Sequence, residues 1–206
     1  MGLSESGPQR TIGLTGGMGT GKSTVACHLA QAHELPVLDA DAYAREAVRP
    51  GSPILDAILA RYGRRLQQAD GSLDRAALGE LAFGNPRERH WLERQIHPYV
   101  RACFRSALAR LPASTAVLAV PLLFEAGMTD LVSEVWVVHC DPEQQLARLQ
   151  ARDRFSERQL RDRIASQWPL ADKLAAANVV LDNTGCRERL LQQVDAAVRS
   201  PPAPQQ

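Results

Sequence analysis

Apolar residues in this chain gather in five short continuous runs instead of alternating with polar ones. The runs are "TIGLT" (11–15), "PVLD" (36–39), "TAVLAV" (115–120), "EVWVVHC" (134–140) and "NVVLDN" (178–183). A short run without a polar face, bounded by breakers, predicts a strand buried on both sides. Helix-length segments separate them. One covers residues 23–33 directly after the first run; another covers 142–152, with Leu146 and Leu149 on one face. Strands of this kind alternating with helices predict an α/β three-layer sandwich around a five-stranded parallel sheet. In such sheets ligands collect outside the carboxyl ends of the strands.

Two insertions interrupt the alternation. The first, residues 43–111, is helical in pattern: Ile54, Leu55, Ile58, Leu59 and Tyr62 share one face, as do Leu92, Ile96, Val100, Phe104 and Leu108. The turns "ADGS" (69–72) and "GNP" (84–86) divide it. The second, residues 153–173, is short and rich in arginine; Ser156 and Gln159 form the S-x-x-Q capping box of a helix start. The expected organisation is a core of residues 10–42, 112–152 and 174–199, a helical domain over 43–111, a lid over 153–173, and disordered ends at 1–9 and 200–206.

Composition changes this picture little. The apolar fraction of 45%, the charged fraction of 23% and a net charge of +1 are those of an ordinary globular protein. They give no basis for broad attraction to nucleic acid or to a membrane surface. No apolar run approaches the ~20 residues of a membrane span. The opening "MGLSESGPQR" lacks the apolar segment of a secretory leader, although its start fits the myristoylation pattern with Ser6 in place. Four scattered cysteines without a C-x-x-C pair fit a reducing compartment, so a cytoplasmic protein is expected. One peculiarity matters: of 24 basic residues only Lys22 and Lys173 are lysines.

Lys22 lies inside "GLTGGMGTGKST" (13–24), where Gly16, Gly21, Lys22 and Ser23 satisfy G-x-x-x-x-G-K-[ST]. Glycines allow a backbone curl that points successive N–H groups at phosphate oxygens. A helix beginning at the loop's end turns its positive dipole end to the same anion. In this pattern Gly17, Gly19, Thr20, Gly21, Lys22, Ser23 and Thr24 form the nucleotide cradle. Lys22 reaches the β- and γ-phosphates, and the Ser23 hydroxyl ligates Mg²⁺. ATP with Mg²⁺ is the expected ligand.

The rest of the chain selects among phosphate-loop proteins. A guanine-reading N-K-x-D element is absent, because neither lysine follows an asparagine. A motor-type ATPase carries an acid at the end of an apolar strand; here "TAVLAV" runs into Pro121, Leu122, Leu123 and Phe124 before the first acid, Glu125. The second strand is more informative. "VLDADAYAR" sets Asp39 and Asp41 two apart, on one strand face if the strand extends that far. A carboxylate there can take a hydroxyl proton or position the attacking oxygen during γ-phosphoryl transfer. Arg148, Arg152, Arg154, Arg158, Arg161 and Arg163 crowd residues 148–163. A mobile arginine lid would supply cations over the transferring group while excluding water, with Arg152 the first candidate. His28, His33, His90 and His139 show no metal spacing. The residues alone leave open a kinase of some small metabolite, such as a nucleoside monophosphate, and a nucleotide-gated binding protein.

Seven stretches taken together resemble the dephospho-CoA kinase family: "IGLTGGMGTGKST", "VLDADAYAREAV", "DGSLDRAAL", "IHPYVR", "VPLLFEAG", "ARDRFSERQLRDRIASQ" and "LDNTG". The resemblance implies a P-loop kinase fold with a helical substrate domain and a lid. It implies ATP as donor and the ribose 3′-hydroxyl of dephospho-CoA as acceptor, in a monomer or weak homo-oligomer. Asp41, the second acid of D-A-D, takes the place of the family's base. His97 and Arg101 of "IHPYVR" and Arg152 of the lid match positions for substrate and phosphate contacts. Two departures stand out: Ala177–Asn178 where many relatives have A-D, and Ala119 where some carry an acid. The partner of Ser23 on Mg²⁺ is therefore Asp39, Asp41 or water alone.

Overall fold

The computed structural model describes residues 8–152 and 155–200, and of residues 83 and 84 the backbone alone. Most of the two expected disordered ends, the acylation pattern through Ser6, and Arg154 of the lid lie outside the described residues. The chain divides into two compact units. One comprises the described residues up to Asp39 together with those from Ala107 onward, and the other is Ala40–Ser106.

The first unit is the α/β core. Its sheet contains β1 (Arg10–Gly16), β2 (Val37–Asp39), β3 (Thr115–Ala119), β4 (Glu134–His139) and β5 (Val179–Asp182). The order is β2-β3-β1-β4-β5, and every pairing is parallel. β1 is central, which is why "TIGLT" has no polar face to spare: Ile12 and Leu14 point to one side and Thr11, Gly13 and Thr15 to the other. On the first side, Ile12, Leu14, Val117, Trp136, Val138 and Leu181 meet Val25 and Leu29 of α1 (Lys22–Ala32) and Leu190 and Val194 of α9 (Arg187–Arg199). On the second, a Cβ at Gly13 would stand 3.0 Å from the side chains of Leu123 and Val132, so the loop after β3 packs flush on the strand. α6 (Pro142–Arg152), α7 (Glu157–Ala165) and α8 (Leu170–Ala175) complete this unit.

The register fixes where the carboxyl edge lies. Asp39 pairs with Ala119, Ala119 with Leu14, and Leu14 with Trp136. Gly16 and Asp39 therefore end neighbouring parts of one edge. β2 is shorter than needed to carry Asp41: the strand ends at Asp39 and a helix, α2 (Ala40–Ala47), begins at the next residue. Asp39 and Asp41 do not share a strand face. The last partner on β3 is used at Asp39, and "ADAYAREA" then has no strand to pair with and coils instead.

The second unit contains α2, α3 (Pro53–Tyr62), α4 (Arg75–Gly84) and most of α5 (Pro86–Arg110). The starts of α3 and α4 are written locally. Ser52 accepts from Leu55 N–H with Pro53 at the first helical position, and Asp74 accepts from Ala77 N–H. Val48, Leu55, Ile58, Leu66, Leu73, Leu78 and Leu92 form the core. Its α3–α5 seam is closed by one acid. Arg61 grips Glu88 with Nε and Nη2, at 2.8 and 3.0 Å, while Tyr62 donates its hydroxyl to the same carboxylate at 2.5 Å.

The Arg61 guanidinium and then the Tyr62 hydroxyl hold the Glu88 carboxyl down at about 2, against an ordinary 4.5. The unfolded chain therefore takes up the proton first. The stability this group contributes is complete above pH 4.5 and is lost as pH falls towards 2. The expected outcome is that Glu88→Gln lowers the stability of the protein at neutral pH, and that the gap to wild type closes between pH 4.5 and 2. Chemical denaturation across that range measures it; a gap independent of pH would contradict the assignment.

Candidate active site

The turn between β1 and α1 is a phosphate cradle whose shape is imposed by its neighbours as well as by its own glycines. Gly16, Gly19 and Gly21 take φ values of 146°, 70° and 110°. At two of them space is lacking as well. A Cβ on Gly16 would lie 2.2 Å from the Val138 carbonyl oxygen, and one on Gly21 would lie 2.3 Å from Asn183 Nδ2. Both collisions are with atoms that cannot swing away, because Val138 is in β4 and the Asn183 amide is itself bonded.

Four side chains hold the loop's carbonyls. Gln145 Nε2 of α6 donates to Met18 O and Asn183 Nδ2 donates to Thr20 O, each at 2.7 Å. In a trans peptide the following N–H points opposite to its carbonyl. Fixing Met18 O and Thr20 O in this way turns the N–H groups of Gly19 and Gly21 to the other side, as an anion requires. Lys22 Nζ donates to Gly16 O at 2.9 Å and Gly17 O at 2.7 Å, keeping its charge at the cradle. The Thr20 hydroxyl donates to Gly17 O. α1 then begins, with no acidic residue in its first turn to compete with an anion at the positive end of the helix. Ser23 is exposed on that first turn, with Thr24 next to it.

Asn183 and Gln145 were invisible as site residues in the sequence. They stand 163 and 127 positions from the carbonyls they hold. The one available signal was "LDNTG" itself, a polar run placed at the carboxyl end of a buried strand. Arg148 belongs to the same support: its Nη2 donates to Asn183 O at 3.1 Å, and its Nη1 is buried without a hydrogen-bond partner among the described residues.

The arginine-rich stretch separates by environment. Arg152 ends α6 and is exposed, as is Arg158 on α7. Arg161 pairs with Glu157 one turn away at 2.7 Å, and the Arg163 guanidinium lies 3.8 Å from the centre of the Phe155 ring. The helix start at Ser156 forms the full capping box with Gln159. Glu125 is committed elsewhere. Its Oε1 forms an ion pair with the buried Lys173 ammonium and accepts from Trp168 N–H, each at 2.8 Å, while Phe124 and Trp168 stack with centroids 5.3 Å apart. The second of the chain's two lysines thus ties the loop after β3 to α8. Asn178, a departure from the family pattern, extends the sheet: its side chain accepts from Val135 N–H at 2.7 Å.

The remaining sequence candidates divide between the units. Asp39 is half-buried at the end of β2, on the edge of the sheet that carries the cradle. Asp41 is exposed in the first turn of α2. His97 and Arg101 are four apart on α5, both half-buried, with Pro98 inside the helix. Burial pushes the His97 imidazole below its ordinary value, and Glu93 only partly opposes it. That direction favours the uncharged imidazole, a hydrogen-bonding group.

A triphosphate cradle at the carboxyl edge of a parallel sheet, followed by a helical unit and an arginine-rich stretch, defines a P-loop kinase. The sequence model of the family described as dephospho-CoA kinase matches residues 10–188. A dephospho-CoA kinase of Trichormus variabilis is 56% identical over 92% of this chain and 97% of its own. A solved structure from Thermus thermophilus, 34% identical, superposes with a TM-score of 0.79 over 96% of this chain and all of that one. The dephospho-CoA kinase of Campylobacter jejuni shares the fold, with a TM-score of 0.66 at 24% identity over 92% of this chain and 95% of its own. The chain belongs to the dephospho-CoA kinase family.

Asn183 gives this site its sharpest test. Asn183→Ala leaves the Thr20 carbonyl stranded, a cost of about 1–3 kcal/mol, and releases the peptide that presents Gly21 N–H. ATP affinity is expected to fall about tenfold or more while the fold persists, as measured by nucleotide titration beside circular dichroism. Unchanged affinity would show that the cradle keeps its shape without this support.

Proposed function

We propose that this chain transfers the γ-phosphoryl group of ATP to the ribose 3′-hydroxyl of dephospho-CoA, giving coenzyme A and ADP. The observation that carries the reading is the preformed cradle of residues 16–24, with Lys22 held inside it, in a member of this kinase family. Family membership supports the reaction itself, phosphorylation of dephospho-CoA to coenzyme A by a kinase.

The roles follow from chemistry and position. The cradle binds the triphosphate through Gly17, Gly19, Thr20, Gly21, Lys22, Ser23 and Thr24. Asp41 takes the proton of the acceptor hydroxyl as its oxygen bonds to the γ-phosphorus. The bond from that phosphorus to the β,γ-bridging oxygen breaks, and ADP leaves with the electron pair. Asp41 is two positions along the chain from Asp39, the last residue of β2. Lys22 and Arg152 offset charge on the transferring oxygens. In the helical unit, Arg101 and His97 lie one turn apart on α5 and grip the acceptor, one by charge and one by hydrogen bonding.

Ser23 and Asp39 offer hard oxygen donors at one sheet edge, which fits Mg²⁺ and not a softer metal. When bound, Mg²⁺ would supply charge neutralisation at the phosphates. A net charge of +1, unpaired cysteines and the absence of any membrane-length apolar helix among the described residues support a cytoplasmic monomer or weak homo-oligomer. ATP and dephospho-CoA are its partners, with no nucleic acid or membrane.

ADP release from Mg-ATP, with dephospho-CoA, AMP or adenosine as acceptor, tests the assignment. Dephospho-CoA should stimulate it strongly and the others little; stimulation by AMP instead would move the chain to nucleotide kinases. Asp41→Asn is expected to keep ATP affinity and lose about 100- to 10,000-fold in kcat. Turnover close to wild type would remove Asp41 from the role of base. Lys22→Ala should lower kcat/KM about 100- to 1,000-fold, and full activity would refute the cradle assignment.

A further inference from the structure

Away from the phosphate cradle, at the far end of α1, three side chains converge that the kinase reaction does not use. His28 lies on α1, His33 is the residue that ends it, and Asp195 lies on α9. Nothing local in the chain groups them, because two histidines five apart and an aspartate on the last helix match no ligand spacing. The fold brings them together: the Nε2 atoms of His28 and His33 each lie 2.7 Å from the same oxygen, Oδ1 of Asp195. The two rings stand nearly perpendicular, at 83°, with centroids 5.5 Å apart. One backbone feature accompanies this. Glu34, next after His33, is the one non-glycine residue among the described residues with positive φ, 52°, and Leu35 N–H closes back on Leu29 O at 3.1 Å. The chain turns sharply there, at an energetically disfavoured residue, and His33 sits beside His28.

We propose that His28, His33 and Asp195 form a binding site for a divalent transition metal of the zinc class. Two imidazole nitrogens and one carboxylate oxygen, all within 4.8 Å of one another, are a three-ligand set that leaves a fourth position for water. Tetrahedral bonds of about 2.0–2.2 Å place donors about 3.2–3.6 Å apart, so the shared oxygen need retreat by less than about 1 Å to admit the ion. The side chains are 18%, 19% and 33% exposed, open enough for an ion to enter and covered enough to hold the three groups in place. Imidazole donors favour Zn²⁺, Cu²⁺, Ni²⁺ and Co²⁺ over Mg²⁺, which keeps this site chemically apart from the metal of the kinase reaction. The bound ion would pin the end of α1 to α9, and α1 begins at the phosphate cradle.

The test uses the untagged full chain, freed of metal by chelator and dialysis. Titration with Zn²⁺ alone by calorimetry should show one saturable equivalent per chain, and a Zn²⁺-dependent rise of several degrees in melting temperature. Co²⁺ should give visible ligand-field bands without the near-ultraviolet thiolate charge-transfer band. That excludes the exposed thiols of Cys27 and Cys186 as ligands. His28→Ala and His33→Gln should each weaken binding about tenfold or more, while a Cys27→Ser, Cys186→Ser double variant binds as wild type. Kinase activity in Mg²⁺ alone should be the same in wild type and both histidine variants. That readout separates loss of the metal site from loss of the fold; His33→Gln, at the helix end, supplies the answer if His28→Ala is unstable. Absence of a stoichiometric Zn²⁺ equivalent, undiminished binding in both histidine variants, or a cobalt thiolate band would each overturn the proposal.

Discussion

Everything at the nucleotide end depends on how close Asn183 comes to Gly21. The amide reaches Thr20 O at 2.7 Å, and it can do so because Gly21 has no Cβ and adopts a φ of 110°. One contact thereby fixes the fifth strand's loop to the phosphate cradle. Arg148 holds Asn183 in turn, Gln145 secures Met18 O, and both project from the helix that follows β4. The cradle is a part of the sheet's carboxyl edge, braced by β4 and β5, and not a flexible turn that happens to be rich in glycine. Preorganisation of this kind places N–H donors before a phosphate arrives, so binding need not order the loop.

Scarcity of lysine makes the allocation of charge easy to follow. Lys22 is a compact charge on a flexible stem, held at the cradle's own carbonyls until an anion competes for it. Lys173 is buried against Glu125 and ties two segments of the core. Arginine does the work that needs geometry: the two-pronged grip of Arg61 on Glu88, the contact of Arg163 with the Phe155 ring, the hold of Arg148 on a carbonyl. A planar fork suits these tasks, while a point charge suits a phosphate that shifts during transfer.

Legibility in the sequence tracked the range of the interaction. Strands buried on both faces were readable because the interiors of β1, β3 and β4 are buried, and the Ser156–Gln159 capping box was readable because it closes within four residues. The expectation that Asp39 and Asp41 share a strand face depended on the length of β2. That length is set by a partner, since the ladder with β3 ends at Asp39 paired with Ala119. Likewise the sequence put Arg152 first among the arginines of 148–163, and only their surroundings distinguished Arg148, the partner of Asn183, from Arg161, the partner of Glu157, and from the exposed Arg152.

The sequence by itself determined the α/β class and the place of the glycine-rich loop between the first strand and the first helix. Those follow from local patterns: apolar runs, glycine spacing, a lysine and a serine at the start of a helix. The tertiary structure alone decided what braces the cradle, where β2 stops, and that His28, His33 and Asp195 meet. Each of these joins residues that are distant in the chain, and their convergence is fixed by the stacking of α1 and α9 on the sheet and by the strand order. No local pattern encodes such meetings, because the energy that makes them comes from packing shared across the whole core.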